Sequence, residues 1–241
     1  PGFQAIYVTV EEVQVHAATG AGWTTVSTPH KTVNLLDLVN GVRFGLGVAV
    51  LPTGHYTQMR LLLASRPDSG LNLFSRPHPF ANYFIDDSDA VQELKVPSGF
   101  QTGIKIVNGF DINVNQTTEL ILDFDAARSI VCAGSSGQWL LKPTIKVLDT
   151  ADYAIVGGTV RDAGGLGVAG VVVSAQTVNT LPGTDPKDAV TVQAATVTDA
   201  DGNYKLFLAP GSYNLVAFSS AAAEAWGPGC TPLSAAADSV Q

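Results

Sequence analysis

The stretch Ala5-Ile6-Tyr7-Val8-Thr9-Val10-Glu11-Glu12-Val13-Gln14-Val15-His16 decides the fold class of this chain. Ile6, Val8 and Val10 alternate with Tyr7, Thr9 and Glu11, the period of two expected of a strand with one face in a core. Val13 and Val15 stay on the apolar face only if one residue is inserted at Glu11-Glu12, which is how a β-bulge reads in sequence.

The same texture continues along the chain. Gly20-Ala21-Gly22 turns it, and Trp23 to Val26 returns as a partner strand. Leu35, Leu36, Leu38 and Val39, closed by Asn40-Gly41, suit a single helical turn within Thr32 to Gly41, the one helix expected. Leu46, Val48 and Val50 alternate as a further strand, Pro52-Thr53-Gly54 turns, and Tyr56 to Ala64 forms a long strand. Arg66 to Pro79, with three prolines, reads as a surface loop with at most a short strand at Leu71 to Phe74. Phe110, Ile112 and Val114 face Leu120, Leu122 and Phe124 as a hairpin turned at Asn115-Gln116. Trp139 to Val147 completes a first module spanning residues 1–150.

A second module spans 154–220, with strands at Gly157 to Arg161, Val171 to Gln176 and Tyr213 to Phe218. Asp201-Gly202 between two more strands suits a tight hairpin turn. Residues 221–241 are a tail rich in Ala, Ser and Pro. The expected fold is all-β: two tandem β-sandwich domains, Ig-like or prealbumin-like.

Composition sets limits on function. At 46% hydrophobic, the 241 residues can bury a core, and charged residues are only 14%, below the roughly 25% usual in soluble domains. A net charge of −8 without any Lys or Arg cluster gives no footprint for nucleic acid. No run of about 18 apolar residues occurs that could span a membrane. The opening at Pro1 is read as a mature or trimmed form of an exported chain.

Candidate chemistry is sparse. Cys132 and Cys230 are the two cysteines, lacking metal or redox spacing, and are either a disulfide or two buried thiols. Trp23, Trp139 and Trp226 are a candidate sugar-stacking platform, with packing as the competing role. Asp123 and Asp125 flank Phe124 on one strand face and could form a carboxylate pair, or could be satisfied by Arg128. Asp199-Ala200-Asp201-Gly202-Asn203 has the oxygens of a calcium loop, but its glycine comes too early and Pro210 replaces the closing glutamate, so a plain turn is expected. His16, His30, His55 and His78 lack ligand spacing and are expected at the surface. Gly134-Ser135-Ser136-Gly137 is not a nucleophile elbow. No catalytic, cofactor or metal residue is assigned, and no enzyme is expected.

Two resemblances carry the reading further. Gly158-Thr159-Val160-Arg161-Asp162, Gly167 to Val173, Thr198 to Tyr204 and Pro210-Gly211-Ser212-Tyr213 resemble the carboxypeptidase regulatory-like domain over about Ile155 to Ser220. That resemblance implies an accessory, non-catalytic prealbumin-like sandwich of secreted or surface proteins. Tyr7-Val8-Thr9-Val10 with Val13 to His16, Val33 to Leu38, Leu51 to Arg60, Leu122 to Ala126 and Leu140 to Pro143 resemble the bacterial domain of unknown function 4382, over about Phe3 to Val147. This second resemblance implies an exported protein, often a lipoprotein. Its members usually begin with one strand more than this chain, and the second module has no clear closing strand after Phe218, so open sheet edges are expected.

The function expected is that of a non-catalytic extracellular or cell-surface structural protein, self-associating through sheet edges as in filaments or surface layers. The alternative is a binding module for a glycan or another surface protein.

Overall fold

The computed structural model describes residues 3–20, 22–38, 42–97, 103–124, 126–133, 137–150, 153–179 and 189–219. They fall into two compact units, one formed by the chain up to Asp37 with Phe44–Asp149, the other by the described residues of Leu38–Arg43 and Thr150–Ala223. Both are all-β.

The first unit is organised by β1 (Phe3–Ala17). Its first half pairs with β3 (Lys31–Asn34) and β5 (Asn82–Asp86), and its second half with β2 (Trp23–Ser27) and β4 (Gly54–Leu63). The register with β4 slips between Val10 and Glu12, so the extra residue sits where the sequence places the bulge, and Val13 and Val15 rejoin Ile6, Val8 and Val10 in one core. β6 (Val91–Lys95), β7 (Ile104–Ile106), β8 (Phe110–Ile112), β10 (Ile130–Cys132) and β11 (Trp139–Leu141) extend this sheet to ten strands. A separate pair, β9 (Leu120–Phe124) with β12 (Ile145–Asp149), sets Leu122 opposite Val147 and Phe124 opposite Ile145. All four pack on the β1 core and close the sandwich.

The structure departs from the sequence expectations at several places. β8 pairs with β4, and β9 with β12, so Phe110 to Phe124 is no hairpin. Trp139 to Val147 is two strands in different sheets, broken at Lys142-Pro143-Thr144, because Pro143 supplies no ladder donor. The expected helical turn is present, as a 3-10 turn at Leu35–Asp37 following β3. Leu46 to Val50 alternates but pairs with no described strand, and Val48 and Val50 are 96% and 101% exposed. Tyr7 and Thr9 are buried, since the Ala64–Ala81 excursion covers that face of β1.

The second unit sets β13 (Ala154–Thr159) and β16 (Asn203–Leu208) against a three-stranded sheet of β15 (Val190–Val197), β14 (Val171–Val178) and β17 (Asn214–Ser219). Val173, Ala175, Leu206 and Leu208 form its core. β15 and β16 flank Asp201-Gly202 yet join different sheets, so the turn crosses the sandwich and does not close a hairpin.

One turn design recurs in both units. At Asn72, Asp86, Asp162 and Asp199 the side-chain Oδ1 accepts the backbone N–H groups two and four residues on. The fourth residue of each turn, Ser75, Asp89, Gly165 or Gly202, takes positive φ. An Asn or Asp oxygen thus replaces the ladder partners that the bend removes. The two tyrosines that follow Pro-Gly-type turns also match: Tyr56 and Tyr213 donate their hydroxyls to the carbonyls of Pro52 and Ala209 at 2.9 and 2.8 Å.

Candidate functional site

Among the described residues, a group of buried polar side chains lies between β1, β3, β5 and the excursion over residues 64–81. Period-two alternation places Tyr7 and Thr9 on the same face of β1, and β5 sets Tyr83 directly opposite Tyr7. Their rings stack at 4.8 Å between centroids, and His78 meets the Tyr7 ring edge-on at 4.9 Å. His78 Nδ1 lies 2.9 Å from the Tyr83 hydroxyl, and its Nε2 is 3.9 Å from Asp68 Oδ1.

Asp68 is held from several directions. Lys31 Nζ sits 2.7 Å from Oδ2, while the backbone N–H groups of Gly70 and Thr32 donate to the carboxylate at 2.8 and 3.3 Å. Burial alone would raise its pKa; the Lys31 hydrogen bond, the two backbone donors and the Lys31 charge outweigh it and hold the carboxyl at about 2. Burial, reinforced by Lys31, keeps His78 below its ordinary value despite the opposing charge of Asp68. Burial also pushes Tyr83 up to about 12.

In the row of an aspartate, a histidine and a tyrosine, the histidine and the tyrosine are closed off from solvent, while the aspartate end meets the half-exposed Lys31. The His78 side chain is 3% exposed and Tyr83 is 0% exposed. The neighbouring cleft, lined by residues including Arg66, Phe80 and Glu93, holds about 210 Å3, below the roughly 300–1,000 Å3 of small-molecule sites. What the arrangement does is clamp a proline-rich loop onto the outer face of the sheet. His78, expected at the surface, is therefore buried: it is the polar tip that lets the loop pack on two tyrosines. The sequence sign that was available is the uncharged run Ala5 to Val10, which marks a strand covered on both faces.

The residues singled out from sequence are dispersed. Trp23 sits at the His16 end of β1, its ring 4.2 Å from the Arg60 guanidinium and edge-on to His16 at 5.4 Å. Trp139 packs edge-on against Phe84 at 5.2 Å, and Phe84 pairs with Ile6. From Ile6 to His16 is about 30 Å of extended strand, so the two rings do not share a platform. Trp226 lies outside the described residues. Cys132, in β10, is disulfide-bonded, and Cys230 lies outside the described residues. Asp123 is exposed in register with Lys146, whereas Asp125 lies outside the described residues. Asp199 Oδ1 is taken up by the N–H groups of Asp201 and Asn203, as a turn requires. His30 and His55 are exposed and contact Glu11 and Asp111, while His16 is half-buried, its Nδ1 without a hydrogen-bond partner among the described residues.

The family model of the domain of unknown function DUF4382 matches residues 1–143 of the 241-residue chain, more than half of it. The chain belongs to the DUF4382 family. No curated protein and no solved structure matches it significantly.

The DUF4382 match contains every residue of the polar clamp and ends before β12. Within it the clamp makes stability depend on acid in two steps. His78 has a folded pKa below its unfolded 6.5, so its contribution is complete above pH 6.5 and declines as pH falls towards the depressed value. Asp68, at about 2 against 3.8, contributes fully above pH 3.8 and is lost as pH drops towards 2. The urea midpoint of the native chain is expected to fall in both windows. A His78→Gln variant is expected to show a smaller first decline; an unchanged pH profile in that variant counts against a buried neutral His78.

Proposed function

We propose that this DUF4382 chain is an exported, non-catalytic structural protein of the bacterial surface or extracellular space, and that its copies associate by adding strands to an open sheet edge. The observation that carries the reading is β17. It is an edge strand, no other described strand pairs with its outer side, and Asn214 to Phe218 are exposed on both faces. Leu215, on the core side opposite Ala175, stays 45% exposed, because the opposing pair β13–β16 does not cover β17. Val216 and Phe218, on the outer side, are 39% and 47% exposed.

Natural edge strands are usually guarded by lysine, proline or a bulge, since a bare backbone edge templates another chain. β17 reads Asn-Leu-Val-Ala-Phe-Ser and carries no such guard. Two further features support the proposal. A disulfide at Cys132 fits an oxidising compartment. The turn-and-strand motifs of the second unit fit a carboxypeptidase regulatory-like module, the accessory kind found in secreted proteins, and we read the unit as one. The clamp, whose His78 and Tyr83 are closed off from solvent, fits a scaffold better than an enzyme.

Size-exclusion chromatography and electron microscopy of the full-length native protein test this. Oligomers or filaments are expected, and Val216→Lys with Phe218→Lys should return the protein to a monomer. A native protein that stays monomeric at high concentration overturns the reading.

A further inference from the structure

The segment Gly47-Val48-Ala49-Val50-Leu51 has the composition of a strand and the surroundings of none. Its β-branched valines favour extended pairing. Its backbone nevertheless makes no hydrogen bond with any described residue. Val48, Ala49 and Val50 are all exposed, the valines almost completely.

The segment is also held in place. Leu46 and Leu51, on either side of the exposed residues, pack against the first unit's core. The Ser27 hydroxyl donates to the Leu46 carbonyl at 2.6 Å. Gly47, at φ 146°, passes so close to Ser27 that a Cβ would collide with that side chain. A half-buried leucine at each end and a glycine contact at the root display an apolar, uncharged strand to solvent instead of folding it away. Such fixed display lowers the ordering cost of binding.

We infer that Gly47–Leu51 of one copy is the strand that pairs with the β17 edge of another, an inference that rests on the self-association proposed above. The two elements are complementary. The segment has five residues and β17 has six, so a strand of about 17 Å meets an edge of similar length. Neither carries a charge, so nothing repels. Val48 and Val50 lie two apart and share one face, which lets them cover the exposed core side of β17 beside Leu215 and Ala217. Donor and acceptor are different surfaces, so each added copy leaves one of each free. The contact is heterologous, and assembly proceeds head to tail in place of closing as a two-fold dimer.

Two full-length variants test this. Val48→Asp with Val50→Asp disables the donor and leaves the edge intact; Val216→Lys with Phe218→Lys disables the edge and leaves the donor intact. The donor changes lie at solvent-exposed positions, so thermal melts should match the native protein. Each variant alone is expected to be monomeric, and mixing them should give a 1:1 complex of twice the monomer mass that grows no further. If the native protein assembles but the mixture yields no such complex, or the donor variant alone still assembles, the inference falls while the self-association reading stands. A native protein that is monomeric removes both.

Discussion

Replacing Tyr83 by Ala is expected to destabilise the first unit by about 3–5 kcal/mol, the cost of truncating a large buried aromatic ring. Tyr83 is 0% exposed and stacks on Tyr7, and its hydroxyl partners His78. Truncation therefore opens a cavity under the Ala64–Ala81 excursion and strips His78 Nδ1 of its partner at once. Tyr83→Phe keeps the stack and removes only the hydroxyl, so it should cost about 1–3 kcal/mol, the range for leaving one buried group unpaired. Urea denaturation of the two variants separates the contributions. Equal losses would mean that the hydroxyl network, and not the ring packing, holds the loop down.

The second large effect is expected in the other unit, where two turns touch backbone to backbone. A Cβ on Gly167 would fall within the Asp201 carbonyl, and one on Gly202 would lie 2.6 Å from both the Val160 oxygen and the Val168 nitrogen. Val160 N–H donates to the Gly202 carbonyl at 2.9 Å, and Val168 N–H to the Val160 carbonyl at 2.9 Å. Neither turn can retreat without breaking those bonds. Gly167→Ala is expected to cost about 3 kcal/mol, the upper end for overpacking, because the obstacle is backbone and has no alternative rotamer. Hydrogen exchange should show amides of β13 to β17 losing protection while those of β1 keep theirs. Unchanged protection in the second unit would sink the argument.

These two sites were unequally legible in sequence. Gly167 and Gly202 stand in motifs that resemble a known sandwich module, so their importance was readable although their mutual contact was not. The clamp was hidden because its members look like a loop: Asp68 follows Pro67, and His78 lies between Pro77 and Pro79. Prolines and polar residues usually mark exposed chain, and only the neighbouring uncharged run of β1 hinted that something must lie over it.

What the sequence settled by itself is local in origin. Alternation along β1, the bulge at Glu11-Glu12, the long strand at Tyr56 and the turns at Asp162 and Asp199 follow from side-chain direction and turn chemistry within a few residues. Pairing is not local. Leu46 to Val50 alternates as well as β1 does but pairs with no described strand, and the flanks of Asn115-Gln116 and Asp201-Gly202 separate into different sheets. Periodicity reports that a segment can be a strand; which strand it meets, which face is covered twice and which edge stays bare depend on contacts between distant residues that only the folded chain brings together.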